Sequence, residues 1–142
     1  MTPETVNIIP DAANHLAKIL QGLEIRLLVV GGAGSLFVNA EHTQTVADVT
    51  PFPDEVMPVL NAHQKALNDL REYDDVKWTY ISPAADFQAD GERTGKYTLG
   101  GEELILNGQG ESVISYADYA IAVIDEIESG SHIKERISVV GE

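Results

Sequence analysis

Three short runs of β-forming apolar residues limit what this chain can fold into: IRLLVV (25–30), VKWTYI (76–81) and RISVV (136–140). Each is separated from the next by a segment whose apolar residues repeat at helical spacing. Runs with apolar residues at consecutive positions suit strands covered on both faces, and strands connected through helices pair in parallel. The order of elements therefore predicts an α/β fold, with a parallel sheet of three long strands and flanking helices.

The helical segments carry their own punctuation. Residues 11–21 place Ala12, Leu16, Ile19 and Leu20 on one stripe with Leu23, with Asp11 as N-cap and Gly22 as the stop. An earlier start at Thr2-Pro3-Glu4 would put Pro10 inside the helix, where it kinks the backbone. Residues 54–72 form a second helix with Pro58 in its first turn, and Val59, His63, Ala66, Leu67 and Leu70 share a face. Ser115 caps a third, which ends at Ser129-Gly130. Its expected inward residues are Ala117, Ala120, Ile121, Ile124 and Ile127. Ser115-x-x-Asp118 is a capping-box signal and reads as structural. Segments 96–99 and 103–106 flank Gly100-Gly101, which predicts one small β-hairpin.

At 142 residues the chain is the size of one domain. Its 23 acidic and 9 basic residues give a formal charge of -14, with the carboxylates scattered along the chain. Such a surface excludes nucleic acid, which needs a basic patch to displace counterions. An anionic ligand must then be held by backbone amides and helix ends. The chain has no cysteine, so it has no disulfides, thiolate metal site or cysteine nucleophile. No apolar run approaches the roughly 20 residues that cross a bilayer. No basic residue precedes the first apolar positions, so no secretory signal is expected and the cytoplasm is the expected compartment.

Candidate chemistry gathers at the ends of the first two strands. Gly31-Gly32-Ala33-Gly34-Ser35 follows the first strand, but Phe37 stands where a dinucleotide fingerprint has its third glycine, and a polar loop follows instead of a helix. Two readings remain open: the glycines let a flat ligand approach the backbone, or they serve a tight loop. Ser82-Pro83-Ala84-Ala85-Asp86 ends the second strand on the same sheet edge, either as the other wall of a shared crevice or as a proline stop. Lys65 lies on the helix between those strands, placed to hold a ribose hydroxyl or simply to face solvent. His63 shares the apolar stripe and reads as a packed residue. His15, His42 and His132 are too dispersed for a metal site, and none is expected. There is no G-x-S-x-G elbow, and no tyrosine stands four residues before Lys65; Asn61 does.

Taken together, RLLVVGGAGSLFV, the helix with Lys65, VKWTYISPAADFQADGERTGKYTLGGEELIL, GESVISYADYAIAVIDEIE and RISVV resemble the atypical short-chain dehydrogenase family of NAD(P)H-binding proteins, described as NADH-flavin reductases. The likeness runs from about Val6 onward. Its most specific parts are S-P-A-A-D-F followed by G-E-R-T-G-K, and the I-S-x-x-D-Y-A helix start. Family members begin with a strand and a G-x-x-G-x-x-G turn that holds the cofactor pyrophosphate. The resemblance therefore implies that Met1 falls just after the fourth strand of a Rossmann-like sheet. Residues 1–142 would be a single partial domain, the C-terminal portion only.

It further implies that Gly31, Gly32 and Ala33, with Ser82, Pro83 and Ala84, line the nicotinamide side of NAD(P)H. Lys65 matches the family's helix lysine and is the catalytic candidate. Asn61 departs from the classical short-chain dehydrogenase tyrosine, which puts carbonyl reduction in doubt. Hydride transfer to a flavin or quinone-like acceptor is less affected. The competing expectation is a truncated, non-catalytic fragment or binding module with weak or no dinucleotide binding. An unpaired strand edge from Ile25 to Val30 predicts homo-oligomerisation there.

Overall fold

The computed structural model describes residues 4–142. In chain order the elements are α1 (Ile8–Leu20), β1 (Arg26–Val30), α2 (Val46–Val49), α3 (Met57–Leu70), β2 (Lys77–Ser82), β3 (Asp86–Gln88), β4 (Tyr97–Gly100), β5 (Val113–Ser115), α4 (Tyr116–Ser129) and β6 (Glu135–Gly141). The main sheet has the order β1-β2-β6-β4. Its first three strands are parallel, with Val30 opposite Ile81 and Ser82 opposite Ser138, as the alternating pattern requires. The expected α/β architecture is present.

Side chains from opposite faces of the sheet feed two cores. Leu27, Trp78 and Tyr80 pack with Ala13 and Ala17 of α1 and with Ala66, Leu67 and Leu70 of α3. Ile81, Ile137 and Val139 pack with Tyr119 and Ala122 of α4. Strands β2 and β6 are buried almost throughout. Strand β1 is not: it is an edge, only Leu27 is fully buried, and Val30 is 59% exposed. Its apolar run is packed on both faces, Leu27 and Val29 against one core and Leu28 against the other, while its outer edge is open.

Both long helix stripes lie differently from the periodicity alone. Helix α1 starts at Ile8, earlier than Asp11, and Pro10 sits in the first turn, where its missing N–H breaks no ladder bond and causes no kink. Of the earlier start considered above, Thr2 and Pro3 lie outside the described residues. The buried residues of α1 are Pro10, Ala13 and Ala17, while Leu16, Ile19 and Leu23 are exposed. Small alanines win that face because they let α1 approach α3 closely, and Asn14 seals the contact by donating to Asp69 at 2.7 Å. Gly22 ends the segment as expected, with φ at +73°.

In α4 the buried residues are Asp118, Tyr119, Ala122 and Glu126, and the expected inward stripe is turned outward. Each buried polar group has a partner, which removes the desolvation cost that would otherwise keep it outside. Tyr119 donates to Ile81 O at 2.7 Å, and Glu126 receives Arg26 at 2.8 Å and His132 Nδ1 at 2.6 Å. Ser115 caps the helix through the Asp118 amide at 3.0 Å, and Gly130 closes it at φ +60°. The Asp118 carboxylate does not complete a capping box: it holds Thr94 and Gly95 instead.

The predicted hairpin does not form. Strand β4 pairs antiparallel with β6, from Tyr97 opposite Gly141 to Gly100 opposite Ser138. The segment after Gly101 leaves the sheet, and its Glu103 bridges Phe37. The edge of β6 offers β4 a long buried partner, whereas a hairpin would leave that edge unpaired. Residues 86–88 and 113–115 add a two-stranded parallel sheet that the sequence reading did not foresee.

Candidate functional site

The parallel pairing brings the carboxyl ends of β1 and β2 side by side, and the Gly31 amide continues the ladder to Ile81 O at 2.9 Å. At Gly31 an added Cβ would stand 2.1 Å from the Tyr80 ring, so only glycine lets this backbone lie on that buried aromatic face. The next amide, of Gly32, donates to the Tyr80 hydroxyl at 3.0 Å, and that hydroxyl reaches His63 O at 3.4 Å. The glycine run is therefore held flat against β2 and α3. Burial pushes the Tyr80 phenol above its ordinary pKa, offset in part by the Gly32 donor and by Arg136, so it stays neutral.

A buried arginine ties the two strand ends together. Arg136 of β6 donates from Nη1 to Ser35 Oγ at 2.8 Å and to Ser82 Oγ at 3.2 Å, and from Nη2 to Ser35 O at 3.0 Å. Its Nε donates to Glu102 at 2.7 Å, and Glu102 also receives Arg71 at 2.8 Å. Burial draws the guanidinium's pKa down, opposed by Glu102. Burial pushes the Glu102 carboxyl up, but the two arginines leave it below the usual range, so the cluster is charged and paired. It fixes the distance between the loop after β1 and the end of β2. The sequence reading missed Arg136, although a lone arginine inside the apolar run RISVV was the available signal.

Beside this crevice, Gly34 and Ser35 face Asn61 and Gln64 of α3 across a cleft of about 310 Å³. His63 lies against Gly32, 3.4 Å from where a Cβ would be, as a packed helix residue. Its Nδ1 is shut off from water with no hydrogen-bond partner among the described residues, and burial lowers its pKa.

The structure brings Gly31, Gly32 and Ala33 together with Ser82, Pro83 and Ala84 at one edge. It does not bring Lys65 there. The Lys65 ammonium is exposed and sits 2.7 Å from Asp69, facing α1. That pairing raises its pKa. Two residues along a helix point to nearly opposite sides, so Lys65 and His63 do not share the crevice. Among the described residues no group of histidines and carboxylates could hold a metal, and no helix is long and apolar enough to cross a membrane.

These features define a Rossmann-like α/β fold, a parallel-strand sheet with flanking helices. No family model matches the chain. It is 47% identical over 133 residues to the uncharacterized protein YwnB of Bacillus subtilis, covering 93% of this chain and 62% of that protein. The structure matches that of a candidate NADH-flavin reductase from Streptococcus pneumoniae with a TM-score of 0.95 and 44% identity, over 100% of this chain and 68% of that one. A short-chain dehydrogenase/reductase from Veillonella parvula, solved with NADP, shares the fold alone, at a TM-score of 0.62 and 18% identity over 99% of this chain and 59% of that one. The chain belongs to the atypical short-chain dehydrogenase family of the Streptococcus protein. It spans less than two thirds of the length of its curated relative.

Proposed function

We propose that this chain carries the nicotinamide-side wall of an NAD(P)H-dependent oxidoreductase whose acceptor is a flavin or a quinone-like ring. The observation that carries the reading is the flat glycine backbone at Gly31 and Gly32, locked on Tyr80 and tied through Arg136 to Ser82. The Cβ positions of Gly31 and Gly32 point inward at Tyr80 and His63, so the glycines seat the loop on β2 and α3, and a planar ring would lie against the opposite, outer side of that backbone. The residues fit that end of the cofactor: Gly31, Gly32 and Ala33 form one wall, and Ser82, Pro83 and Ala84 the other. When bound, the reduced nicotinamide supplies the hydride. The chain's own part is to hold the ring between the two walls and to exclude water from that face. Asn61 and Gln64 border the adjoining cleft, where an acceptor would be oriented by amide hydrogen bonds. Lys65 would reach a ribose hydroxyl only by leaving Asp69, so we assign it to the contact between α1 and α3. The cytoplasm is the compartment this reading implies.

A second reading, a non-catalytic module with weak dinucleotide binding, is favoured by one specific observation. Arg136, the cation nearest the crevice, is fully engaged by Ser35, Ser82 and Glu102, which leaves it no donor for a pyrophosphate. Titration with NADPH followed by nicotinamide fluorescence separates the two. Saturation at or below about 1 mM, the top of the ordinary KM range, supports the reductase reading. A linear, unsaturated signal supports the module. Under our assignment Lys65→Met leaves the affinity within about twofold, and a larger loss would return the lysine to the site. The open edge of β1, where Ile25 and Val30 are 54% and 59% exposed and Arg26 between them is turned inward to Glu126, offers one candidate surface for self-association.

A further inference from the structure

The apolar stripe of α4 faces outward, and this is the feature the reductase reading leaves unused. Ile124 and Ile127 are each 52% exposed, and Tyr116 at the head of the helix is 51% exposed. Ala117, Ala120, Ile121 and Ile124, at the i, i+3, i+4, i+7 spacing of a helix seam, floor a shallow groove of about 440 Å³ bordered by Arg93 and Asp125. The two charges stand at opposite ends of that groove. Arg93 precedes Thr94, which Asp118 holds against the first turn of α4. Asp125 lies nearly two turns further on, its carboxylate fixed by the Tyr97 hydroxyl at 2.6 Å. Arg93 has no hydrogen-bond or ion-pair partner among the described residues, in a chain of charge -14.

We propose that this face seats a second copy of the chain, with the two α4 helices crossing antiparallel about a two-fold axis near Ile121. In that arrangement each Arg93 meets the partner's Asp125, and the two stripes cover one another. A two-fold contact must be self-complementary, and this one is: each copy offers one cation and one carboxylate, placed symmetrically about small and branched apolar residues. Most other faces of so acidic a molecule would repel their own copy. The small residues Ala117 and Ala120 allow the close helix approach that such a seam needs.

The test is sedimentation of the full chain from micromolar to submillimolar concentration, with circular dichroism confirming that each variant is folded. A dimer is expected, and Ile121→Glu should dissociate it. Arg93→Asp should weaken it roughly fivefold to tenfold through its two symmetric ion pairs, and Arg93→Asp with Asp125→Arg should restore it. A monomer at every concentration overturns the proposal. So does a dimer that Val30→Lys dissociates and Ile121→Glu does not, which would place the contact at the β1 edge. Failure of the folded double variant to recover overturns the antiparallel register.

Discussion

Gly31 is the position where one atom decides most. The Tyr80 ring beneath it is fully buried, so it has nowhere to move when a Cβ is added at 2.1 Å. Gly31→Ala is expected to destabilise the protein by about 3 kcal/mol, the upper range of overpacking, through displacement of either the ring or the strand end. Urea unfolding measures it, and a loss below about 1 kcal/mol would show that the glycine loop is not held against Tyr80 as described. The sequence announced the glycines but left two readings open, a ligand approach or a tight loop. Tyr80 supplies a third reason for one of them. The ring is brought over Gly31 only by strand pairing, so no local pattern could have shown it.

At the scale of elements, α4 shows how buried charge overrides periodicity. Its Asp118 carboxylate receives the Thr94 hydroxyl at 2.7 Å and the amides of Thr94 and Gly95 at 3.0 and 2.9 Å. One side chain thereby fastens the loop before β4 to the start of the helix. Asp118→Ala should cost about 2 kcal/mol, since hydrogen bonds to a charged group are the stronger kind. It should also speed amide exchange at Thr94 and Gly95 while the Ser115 cap stays protected. Unchanged exchange at those two amides would refute the fastening role. The helix, its Ser115 start and its Gly130 stop were all legible from the sequence, because caps are local. Which face turns inward was not, because Arg26 and Thr94 reach the helix from distant parts of the chain.

Across the whole molecule, Arg26, Lys65, Arg71 and Arg136 are tied to buried or half-buried carboxylates, and the response to acid follows from the carboxyls held low. Burial pushes the carboxyls of Asp118, Glu126 and Glu102 up, but their hydrogen-bond donors and cations leave all three below the usual range. A group whose folded pKa lies below its unfolded value contributes stability above the unfolded pKa, and that contribution is lost as pH falls through the folded value. Stability should be nearly level above about pH 7, decline modestly below about pH 6.5 as the half-buried His63 resists protonation, and fall further below about pH 4.5, where unfolded carboxylates begin to take up protons. Urea midpoints across that range measure this, and a midpoint that rises toward pH 3 would contradict it. By itself the sequence determined the α/β order, the three parallel strands, the Gly22 and Gly130 stops with the Ser115 start, and the two strand-end loops, since these follow from short-range periodicity and turn chemistry. Only the tertiary structure decided that β4 joins β6 instead of forming a hairpin, that Arg136 fastens the crevice, that Lys65 lies outside it, and which face of α4 is bare. Except for the local pair of Lys65 with Asp69, these depend on pairing between residues far apart in the chain, where the energy of a satisfied buried group outweighs local preference.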